Sequence, residues 1–473
     1  MQTTSPNFVA NVSKALADPN LQIALGRADR NFTERRSLAV LGLPEFEALR
    51  DRGVAIKNDV LANLDHYLET LERNIVRNGG QVHWCVDAEE ARQTVLRICR
   101  SVNAKTVTKG KTMIGEEIGI NPFLEANGML PVETDLGEYI IQLANEPPSH
   151  IIGPAIHKTK EQVSDLFHEH HQKLGYAKRL TEGPDLVAEA RAILRQRYLD
   201  ADVGITGANF LIAETGTSVI VTNEGNGDLT QQLPKIHIAL ASIEKVVPTL
   251  EDAATLIRLL ARSATGQDMS VYTTLSTGPR RPGDPDGPEQ YHLVLIDNGR
   301  TRLLGSEFHD ILRCIRCGAC YNHCPVFTTI GGHAYGWVYG GPLGKVLTPA
   351  LIGLEDAKHL PQASSFCGRC EEVCPMRIPL PKMMRHWREE EFDRGLDGAR
   401  AHWAIKAWAF VAKRPALYGV LARIAARYLA WRGAHRGRIE DLPFAQGWTA
   451  TRDLSAPQGR TFQDQWKERK RAA

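Results

Sequence analysis

Apolar and polar positions along the first 300 residues follow helical and strand periods in alternation. Apolar residues recur every three or four positions between Asn58 and Arg77, which predicts an amphipathic helix. Asp87 to Glu90 resembles a capping box that begins a second helix through Ile98, and Pro184 to Leu199 predicts a third. Apolar runs between the helices predict strands at 82–85, 106–108, 130–133, 150–152, 203–207, 210–213, 217–222, 235–239 and 291–296. This order predicts an α/β domain with a largely parallel sheet.

Strand periods end after Pro325, and the remaining pattern is helical. Residues 349–356 predict one helix, Pro379 to Arg394 predicts another, and Ala399 to Gly433 predicts two amphipathic helices divided at Pro415. The stretch 265–290, rich in Gly, Pro and Asp, predicts a loop. The patterns together predict four parts: a helical segment at 1–60, the α/β domain at 61–300, a helical domain at 301–395 and a helical C-terminal region at 396–473.

Seven of the nine cysteines fall in two runs, each followed by a proline. The first run, Cys314 to Pro325, has the C-x2-C-x2-C-x3-C-P spacing of proteins with two iron–sulfur clusters. The second, Cys367 to Pro375, repeats its later part. Zinc would need four ligands rather than four plus three, and disulfides would need an oxidising compartment. The pattern predicts an all-helical dicluster ferredoxin domain, whereas Cys85 and Cys99 lie in apolar settings typical of a core.

In proteins with this spacing, the last cysteine of each run binds the cluster of the other run. The rule predicts a first cluster held by Cys314, Cys317, Cys320 and Cys374, and a second held by Cys324, Cys367 and Cys370. Ser364 stands where a complete second run would have its first cysteine. The second cluster is then either a three-iron [3Fe-4S] cluster or a four-iron [4Fe-4S] cluster with an open iron or a non-thiolate ligand.

Three side chains near the cysteines are candidates for that ligand, namely Ser364, His323 and His333. Each also has a structural interpretation, as a turn residue or as a group behind the ligands. Positive charge beside an anionic cluster raises its reduction potential, and the flanking cations are Arg313, Arg316 and Arg369. Two clusters in one domain form a relay for single electrons, and nothing in that domain predicts a site for a hydride carrier.

Several turns at the strand ends of the α/β domain are candidates for ligand binding, because open α/β sheets bind ligands there. The residues are Glu214, Thr215, Gly216, Asn223, Lys109 and Lys111. Gly-rich turns expose N–H groups to a carboxylate or phosphate, but hairpin geometry explains each turn equally well. Residues 108–112 lack the leading glycine and the spacing of a phosphate loop, so they predict no nucleotide site. His168 to His171 is more typical of a solvated helix face than of a metal site.

The net charge of +2 is small, but the charge is unevenly distributed. Residues 376–473 contain 20 Lys and Arg against 10 Asp and Glu, together with six of the eight tryptophans. Such a region suits a solvated helical surface, an anionic membrane surface or an acidic partner, and no nucleic-acid signature accompanies it. No apolar run reaches the ~18 residues of a membrane span, and no signal peptide is visible. We expect a cytoplasmic protein, with peripheral contact to the inner face of the cell membrane as one alternative.

Four segments together resemble the lactate-utilisation iron–sulfur protein B (LutB) family over nearly the full chain: Thr108–Glu117, Gly207–Thr217, Cys314–Cys320 and Phe366–Cys370. The resemblance implies that the α/β domain is a LUD domain, a relative of the ribose-phosphate isomerase and CoA-transferase fold. It also implies that the seven cysteines hold two [4Fe-4S] clusters, as they do in the family. The implied function is electron transfer in the oxidation of L-lactate to pyruvate, which allows lactate to serve as a carbon source. The implied partners are LutA-like and LutC-like subunits, so the chain alone would not be a complete dehydrogenase.

Two other functions stay open. The first is electron transfer for another 2-hydroxy acid or for glycerol 3-phosphate, with electrons delivered to a quinone-linked acceptor at the membrane. The second is a transferase-like or isomerase-like enzyme in which Glu214 of the α/β domain acts as nucleophile or base.

Overall fold

A computed structural model describes residues 3–443 and 445–472 of the chain. The chain divides into two compact units, Met1–Glu390 and Glu391–Ala473. The first unit holds both cysteine runs and the whole predicted α/β region. The candidate site therefore lies entirely within the first unit.

The described residues of the first unit form ten strands: β1 (Gln81–Cys85), β2 (Thr106–Gly110), β3 (Leu130–Glu133), β4 (Val203–Gly207), β5 (Phe210–Ile212), β6 (Thr217–Thr222), β7 (Ile236–Ser242), β8 (Val246–Val247), β9 (Tyr272–Ser276) and β10 (Gln290–Ile296). Six of them form a wholly parallel sheet in the order β1-β10-β7-β4-β2-β3. Strands β4 and β7 are buried along their whole length, as apolar runs predict for a parallel sheet covered on both faces. The predicted α/β fold class is confirmed, and Cys85 and Cys99 are buried in the core beside this sheet.

The remaining four strands form a smaller sheet in the order β8-β5-β6-β9. Strands β5 and β6 form the predicted hairpin through the turn at 214–216. Strand β9 lies inside the stretch predicted as a loop, so that prediction is wrong for Tyr272–Ser276, which pairs with β6. The strand predicted at 150–152 is also wrong. There the backbone N–H groups of Ile152 and Gly153 donate hydrogen bonds to His150 Nδ1, which turns the chain.

Helices cover the sheet and continue through the cysteine region. Those that begin in the first unit are α1 (Phe8–Ala17), α2 (Pro19–Leu41), α3 (Phe46–Ala62), α4 (Leu64–Arg77), α5 (Ala88–Ser101), α6 (Met113–Ile118), α7 (Ile120–Ala126), α8 (Leu136–Leu143), α9 (Lys160–His171), α10 (Gly183–Leu199), α11 (Asn226–Gln232), α12 (Leu250–Thr265), α13 (Ala319–Asn322), α14 (Phe327–Ile330), α15 (Gly341–Ile352), α16 (Leu354–Ala357), α17 (His359–Gln362), α18 (Arg369–Glu372) and α19 (Leu380–Asp393). The predicted helices that begin near Asp87, Pro184 and Pro379 correspond to α5, α10 and α19.

Two helix predictions are wrong in detail. The helix predicted from Asn58 to Arg77 is two helices, α3 and α4, which meet at Asn63. The Asn63 side chain donates hydrogen bonds to the Asp59 backbone and carboxylate, and such bonds compete with helical geometry. The helix predicted at 349–356 begins earlier, as α15, and stops at Gly353, whose φ is 97°.

The described residues of the second unit form helices α20 (Ala399–Ala412), α21 (Pro415–Gly433), α22 (Gln446–Thr449) and α23 (Phe462–Ala472), and the short pair β11 (Arg438–Ile439) and β12 (Leu454–Ser455). The predicted division at Pro415 is confirmed, because Pro415 begins α21 at a position where its missing N–H is not needed. Large side chains of α20 and α21 are exposed, among them Trp403, Trp408 and Trp431. Among the described residues, no helix is both long and apolar enough to cross a membrane.

Candidate iron–sulfur site

The two cysteine runs fold into loops of the same backbone shape. Arg316 and Gly318 in the first loop have φ angles of 59° and 75°, and Phe366 and Gly368 in the second have φ angles of 54° and 80°. A one-turn helix follows each glycine, α13 in the first loop and α18 in the second. Because residues other than glycine rarely adopt positive φ, this correspondence indicates one loop geometry used twice.

Ser364 occupies in the second loop the position that Cys314 occupies in the first. The Arg316 backbone N–H donates a hydrogen bond to Cys314 Sγ at 3.4 Å, and the Phe366 backbone N–H donates one to Ser364 Oγ at 3.2 Å. The serine oxygen therefore accepts the same local hydrogen bond as the Cys314 sulfur.

The first cavity, of about 390 Å³, is lined by four thiols and otherwise almost entirely by apolar groups. The thiols are those of Cys314, Cys317, Cys320 and Cys374. Cys374 belongs to the second run, so the loops exchange their last cysteines in the way that the spacing rule predicts. The apolar wall includes Ile311, Leu343 and Met376.

The second cavity, of about 310 Å³, is lined by the other three thiols of the runs. These are Cys324, Cys367 and Cys370, and Ser364 and His323 lie in the same wall. Cys367 is exposed to solvent. The second cavity therefore has fewer thiols than the first and lies nearer the surface.

Burial disfavours the thiolate form of four of these cysteines. It raises the pKa of Cys317 and Cys320 well above the ordinary thiol value, and nearby thiols raise both further. The pKa of Cys374 is raised to about 11, mainly by burial, and that of Cys370 to about 12 by burial and by Cys324. Thiolates gathered in a dry cavity require positive charge, which iron supplies when it replaces the thiol protons. The donor set therefore fits iron–sulfur clusters.

One buried cation approaches a thiol directly. Lys345 Nζ, on α15, lies 3.5 Å from Cys324 Sγ, and the lysine is 1% exposed. The three arginines that flank the cysteines in the sequence also pair with carboxylates: Arg313 with Asp310, Arg316 with Glu244 and Arg369 with Glu372. Lys345 is not among the residues predicted from the sequence, although a single lysine in the apolar segment Pro342–Ile352 is a signal for a buried, partnered cation.

Two arginines from the N-terminal helices hold the second cysteine run in place. Arg36 Nη2 donates a hydrogen bond of 2.8 Å to the Val373 carbonyl, and Arg50 Nη2 donates one of 2.7 Å to the Cys374 carbonyl. Both side chains are buried. The segment 1–60 therefore supports the cysteine region directly, a role that the sequence analysis did not predict.

The candidate residues of the α/β domain do not form one site. Lys109 is fully buried between Glu116 and Glu133, with Nζ to carboxylate distances of 2.5 and 2.7 Å. Lys111 and Asn223 line a common cleft of about 1730 Å³. Of the six candidate residues, the structure therefore brings together only Lys111 and Asn223.

The turn at 214–216 lies outside the lining of that cleft. Glu214 Oε1 accepts a hydrogen bond from the backbone N–H of Leu250 at 2.7 Å, and Thr215 is exposed. A Cβ atom on Gly216 would lie 2.5 Å from the backbone nitrogen of Ile75. Close packing thus accounts for the glycine, and a cap on α12 accounts for the Glu214 carboxylate.

The histidines singled out from the sequence lie in different environments. His333 does not line the second cavity, and its Nε2 donates a hydrogen bond to the Pro147 carbonyl. His171 is buried, with Nδ1 2.7 Å from Glu189 Oε1 and Nε2 3.0 Å from the Tyr139 hydroxyl. The interpretation of 168–171 as a solvated face is therefore wrong for His171, because the Tyr139 and Glu189 contacts hold its ring in the core.

Three family models match successive parts of the chain. These are the LUD domain over residues 68–296, the 4Fe-4S dicluster domain over 310–378, and lactate utilisation protein B, C-terminal, over 394–471.

Close relatives match nearly the whole chain. Lactate utilization protein B of Geobacillus thermodenitrificans is 45% identical, covering 94% of this chain and 93% of the relative. Its counterpart in Bacillus licheniformis is 42% identical, covering 100% and 98%. The electron transport protein YkgF of Escherichia coli is 41% identical, covering 99% and 98%. With three matching domains and this identity over its full length, the chain belongs to the lactate utilization protein B family and carries a 4Fe-4S dicluster domain.

Proposed function

We propose that this protein is the electron-transfer subunit of an L-lactate-oxidising system and that it holds two iron–sulfur clusters. The observation that carries the proposal is the division of seven cysteines between two cavities, four in one and three in the other. Two clusters within one compact unit can accept and pass on single electrons. Membership of the lactate utilization protein B family supports lactate as the source of those electrons.

In this proposal, the first cavity holds a [4Fe-4S] cluster on four thiolates: those of Cys314, Cys317, Cys320 and Cys374. The second holds a cluster on Cys324, Cys367 and Cys370. If a fourth iron is present, it binds the Ser364 oxygen or has no protein ligand. If it is absent, the cluster is [3Fe-4S]. The exposure of Cys367 makes the second cluster the point of electron exchange with a partner.

The partners in this proposal are LutA-like and LutC-like subunits, which membership of the lactate utilization protein B family supports. The second unit supports a further contact, with a membrane surface or a quinone-linked acceptor. Its helices expose Trp403, Trp408 and Trp431 beside many basic residues, a combination that suits an anionic interface.

Iron counting tests the two-cluster proposal. Protein purified without oxygen should contain about eight irons and eight sulfides per chain if both clusters are [4Fe-4S], or about seven irons with an oxidised three-iron electron paramagnetic resonance signal. Cys320→Ser should remove the first cluster and roughly halve the iron, whereas Cys99→Ser, outside both cavities, should leave the count unchanged. Protein that contains zinc and no iron would contradict the proposal.

Electron transfer from lactate needs a separate test. When purified LutA-like and LutC-like proteins are present, L-lactate should bleach the absorbance of the clusters. When this chain is alone, L-lactate should leave that absorbance unchanged. Bleaching by glycerol 3-phosphate in place of L-lactate would contradict the assigned substrate and leave the two clusters unaffected.

A further inference from the structure

A large cleft of the α/β domain lies beside the first cysteine cavity. The cleft opens at the carboxyl ends of β2, β3, β4 and β7, where open α/β sheets bind ligands. Arg316 and Tyr339 form part of its wall, and Arg316 lies in the chain between Cys314 and Cys317. Ile151 lines both the cleft and the first cysteine cavity. A ligand in the cleft would therefore lie next to the first cluster.

Two cations of the cleft are incompletely paired. Lys245 lines it and makes no hydrogen bond or ion pair with the described residues, and burial together with Arg316 lowers the pKa of Lys245 to about 8. Arg316 Nη1 is buried and has no hydrogen-bond partner among those residues, while Nη2 is 3.5 Å from Glu244 Oε1. An anion between the two side chains would relieve their repulsion and complete the guanidinium hydrogen bonds.

The nearby carboxylates, those of Glu117 and Glu244, already form ion pairs with Arg300. Arg300 Nε lies 3.1 Å from Glu244 Oε2, and both Nη atoms of Arg300 donate hydrogen bonds to Glu117. The Tyr339 hydroxyl also donates to Glu117 Oε2 at 2.7 Å. Arg300 and Arg316 thus share Glu117 and Glu244, and no carboxylate among the described residues pairs with Lys245, so this end of the cleft carries an excess of positive charge.

That excess faces the cleft. Neither Lys245 nor Arg316 lines the first cysteine cavity, and both line the cleft.

The rest of the cleft favours a singly charged organic ligand over a phosphate. At the other end, Lys111 is neutralised by Asp135 and Glu224, at 2.9 and 3.0 Å, and the extra carboxylate would repel a multiply charged anion. Apolar side chains complete the wall, including Ile152, Ile156 and Leu240, and these suit a carbon chain.

We propose that this cleft binds an organic monocarboxylate, with its carboxylate between Lys245 and Arg316, and that binding lowers the reduction potential of the first cluster. The potential falls because a negative charge beside the cluster disfavours the added electron. The predicted change in reduction potential rests on the proposed function, because it requires the first cluster. Binding of the carboxylate requires only the cleft.

Calorimetric titration of the full-length, iron-loaded protein tests binding. L-lactate, pyruvate and 2-hydroxyhexanoate serve as carboxylate probes, and inorganic phosphate is the competing probe. At least one carboxylate should bind saturably, and Lys245→Gln should weaken its binding about ten- to hundredfold, the effect of losing a hydrogen bond to a charged group. The matched control is Lys235→Gln, because Lys235 is exposed at the opposite end of β7 and should leave affinity unchanged.

Absence of carboxylate binding, tighter binding of phosphate, or equal affinity of Lys245→Gln and the unmodified protein would each overturn the proposal. The midpoint potential of the first cluster, followed by electron paramagnetic resonance, supplies the second readout. It should fall on addition of the bound carboxylate, and the fall should disappear in Lys245→Gln. If Lys245→Gln shifts the midpoint but the carboxylate never does, the two cations serve the cluster alone and the cleft proposal is wrong.

The iron content of each preparation separates this proposal from the proposed function. Iron-loaded protein that binds no carboxylate contradicts the cleft proposal only. Protein without iron that still binds a carboxylate contradicts the two-cluster proposal only.

Discussion

Ser364 and Cys314 illustrate how single residues differentiate two loops of one shape. Both accept a hydrogen bond from the backbone N–H two residues later, but only the cysteine offers a sulfur. The difference leaves three thiols in the second cavity, and there Lys345 brings a buried ammonium group to Cys324. The two proposed clusters therefore differ in both ligands and charge.

Lys345→Met should lower the reduction potential of the second cluster. The methionine fills similar space but removes the positive charge and the hydrogen bond to Cys324 Sγ, which stabilise the reduced cluster. A hydrogen bond to a charged group contributes about 1.5–3 kcal/mol, which corresponds to a fall of roughly 60–130 mV for one electron. Redox titration of the second cluster's signal measures the fall. Lys382→Met, at an exposed position on α19, is the control, and an equal potential in both variants would refute the role of Lys345.

Individual ligands could be predicted from the sequence because cluster ligands follow a local spacing rule. The exchange of Cys324 and Cys374 between the runs follows from that rule as well. Lys345, Arg36 and Arg50 could not be predicted in this way, because only tertiary folding brings them to the cysteines. The ligand assignment itself stays a prediction until iron is counted.

At the scale of elements, the errors occur where side chains override periodicity. Asn63 ends a helix that the apolar pattern continues, and His150 turns a segment whose isoleucines predict a strand. Strand β9 is not predicted because its side chains are mostly polar and mostly exposed, and the residues after it are rich in glycine and proline. The central strands β4, β7 and β10 were predicted because their residues are mostly apolar.

Gly332→Ala should destabilise the junction between the α/β region and the cysteine region. A Cβ atom at Gly332 would lie 1.8 Å from the Ser149 carbonyl oxygen, and the Gly332 backbone N–H donates a hydrogen bond to Ser149 Oγ. Because backbone must move, the cost should be about 3 kcal/mol or more.

The thermal unfolding midpoint and the retained iron measure this effect. The control is Gly305→Ala, because a Cβ atom at Gly305 meets nothing within 4 Å. Identical midpoints for the two variants would show that the Ser149 contact does not hold this junction.

At the scale of the whole molecule, the family predicted from four short segments is confirmed by matches over nearly the full chain. The α/β fold class predicted from the alternation of helices and strands is confirmed by the parallel sheet. The predicted boundaries at residues 60, 300 and 395 stay predictions. The cleft beside the first cysteine cavity could not be predicted, because its wall combines strand ends with Arg316 and Tyr339 from a distant part of the sequence.

The stability of the fold should fall between pH 7 and pH 5, in part through His237. Burial lowers the pKa of His237 to about 3, with a further contribution from His292, and the ordinary histidine value is about 6.5. As the pH falls, His237 therefore binds a proton in the unfolded chain before it does so in the folded protein. The contribution of His237 to the free energy of unfolding is complete above about pH 6.5 and is lost as the pH falls below that value. The loss from this residue should be about 2 kcal/mol at pH 5.

Urea unfolding midpoints at the two pH values measure this loss. His237→Gln should reduce the difference between them, whereas His66→Gln, at an exposed position, should leave it unchanged. An unchanged difference in His237→Gln would show that other groups cause the acid destabilisation.

The arginine contacts of the N-terminal helices also set the order of events during synthesis. Arg50 precedes its partner Cys374 by 324 residues, and a ribosome adds about 5–20 residues each second, so roughly 15–65 s separate their appearance. During that time α2 and α3 lack the second cysteine run. The hydrogen bonds of Arg36 and Arg50 therefore form only after the last cysteine of the chain has been made.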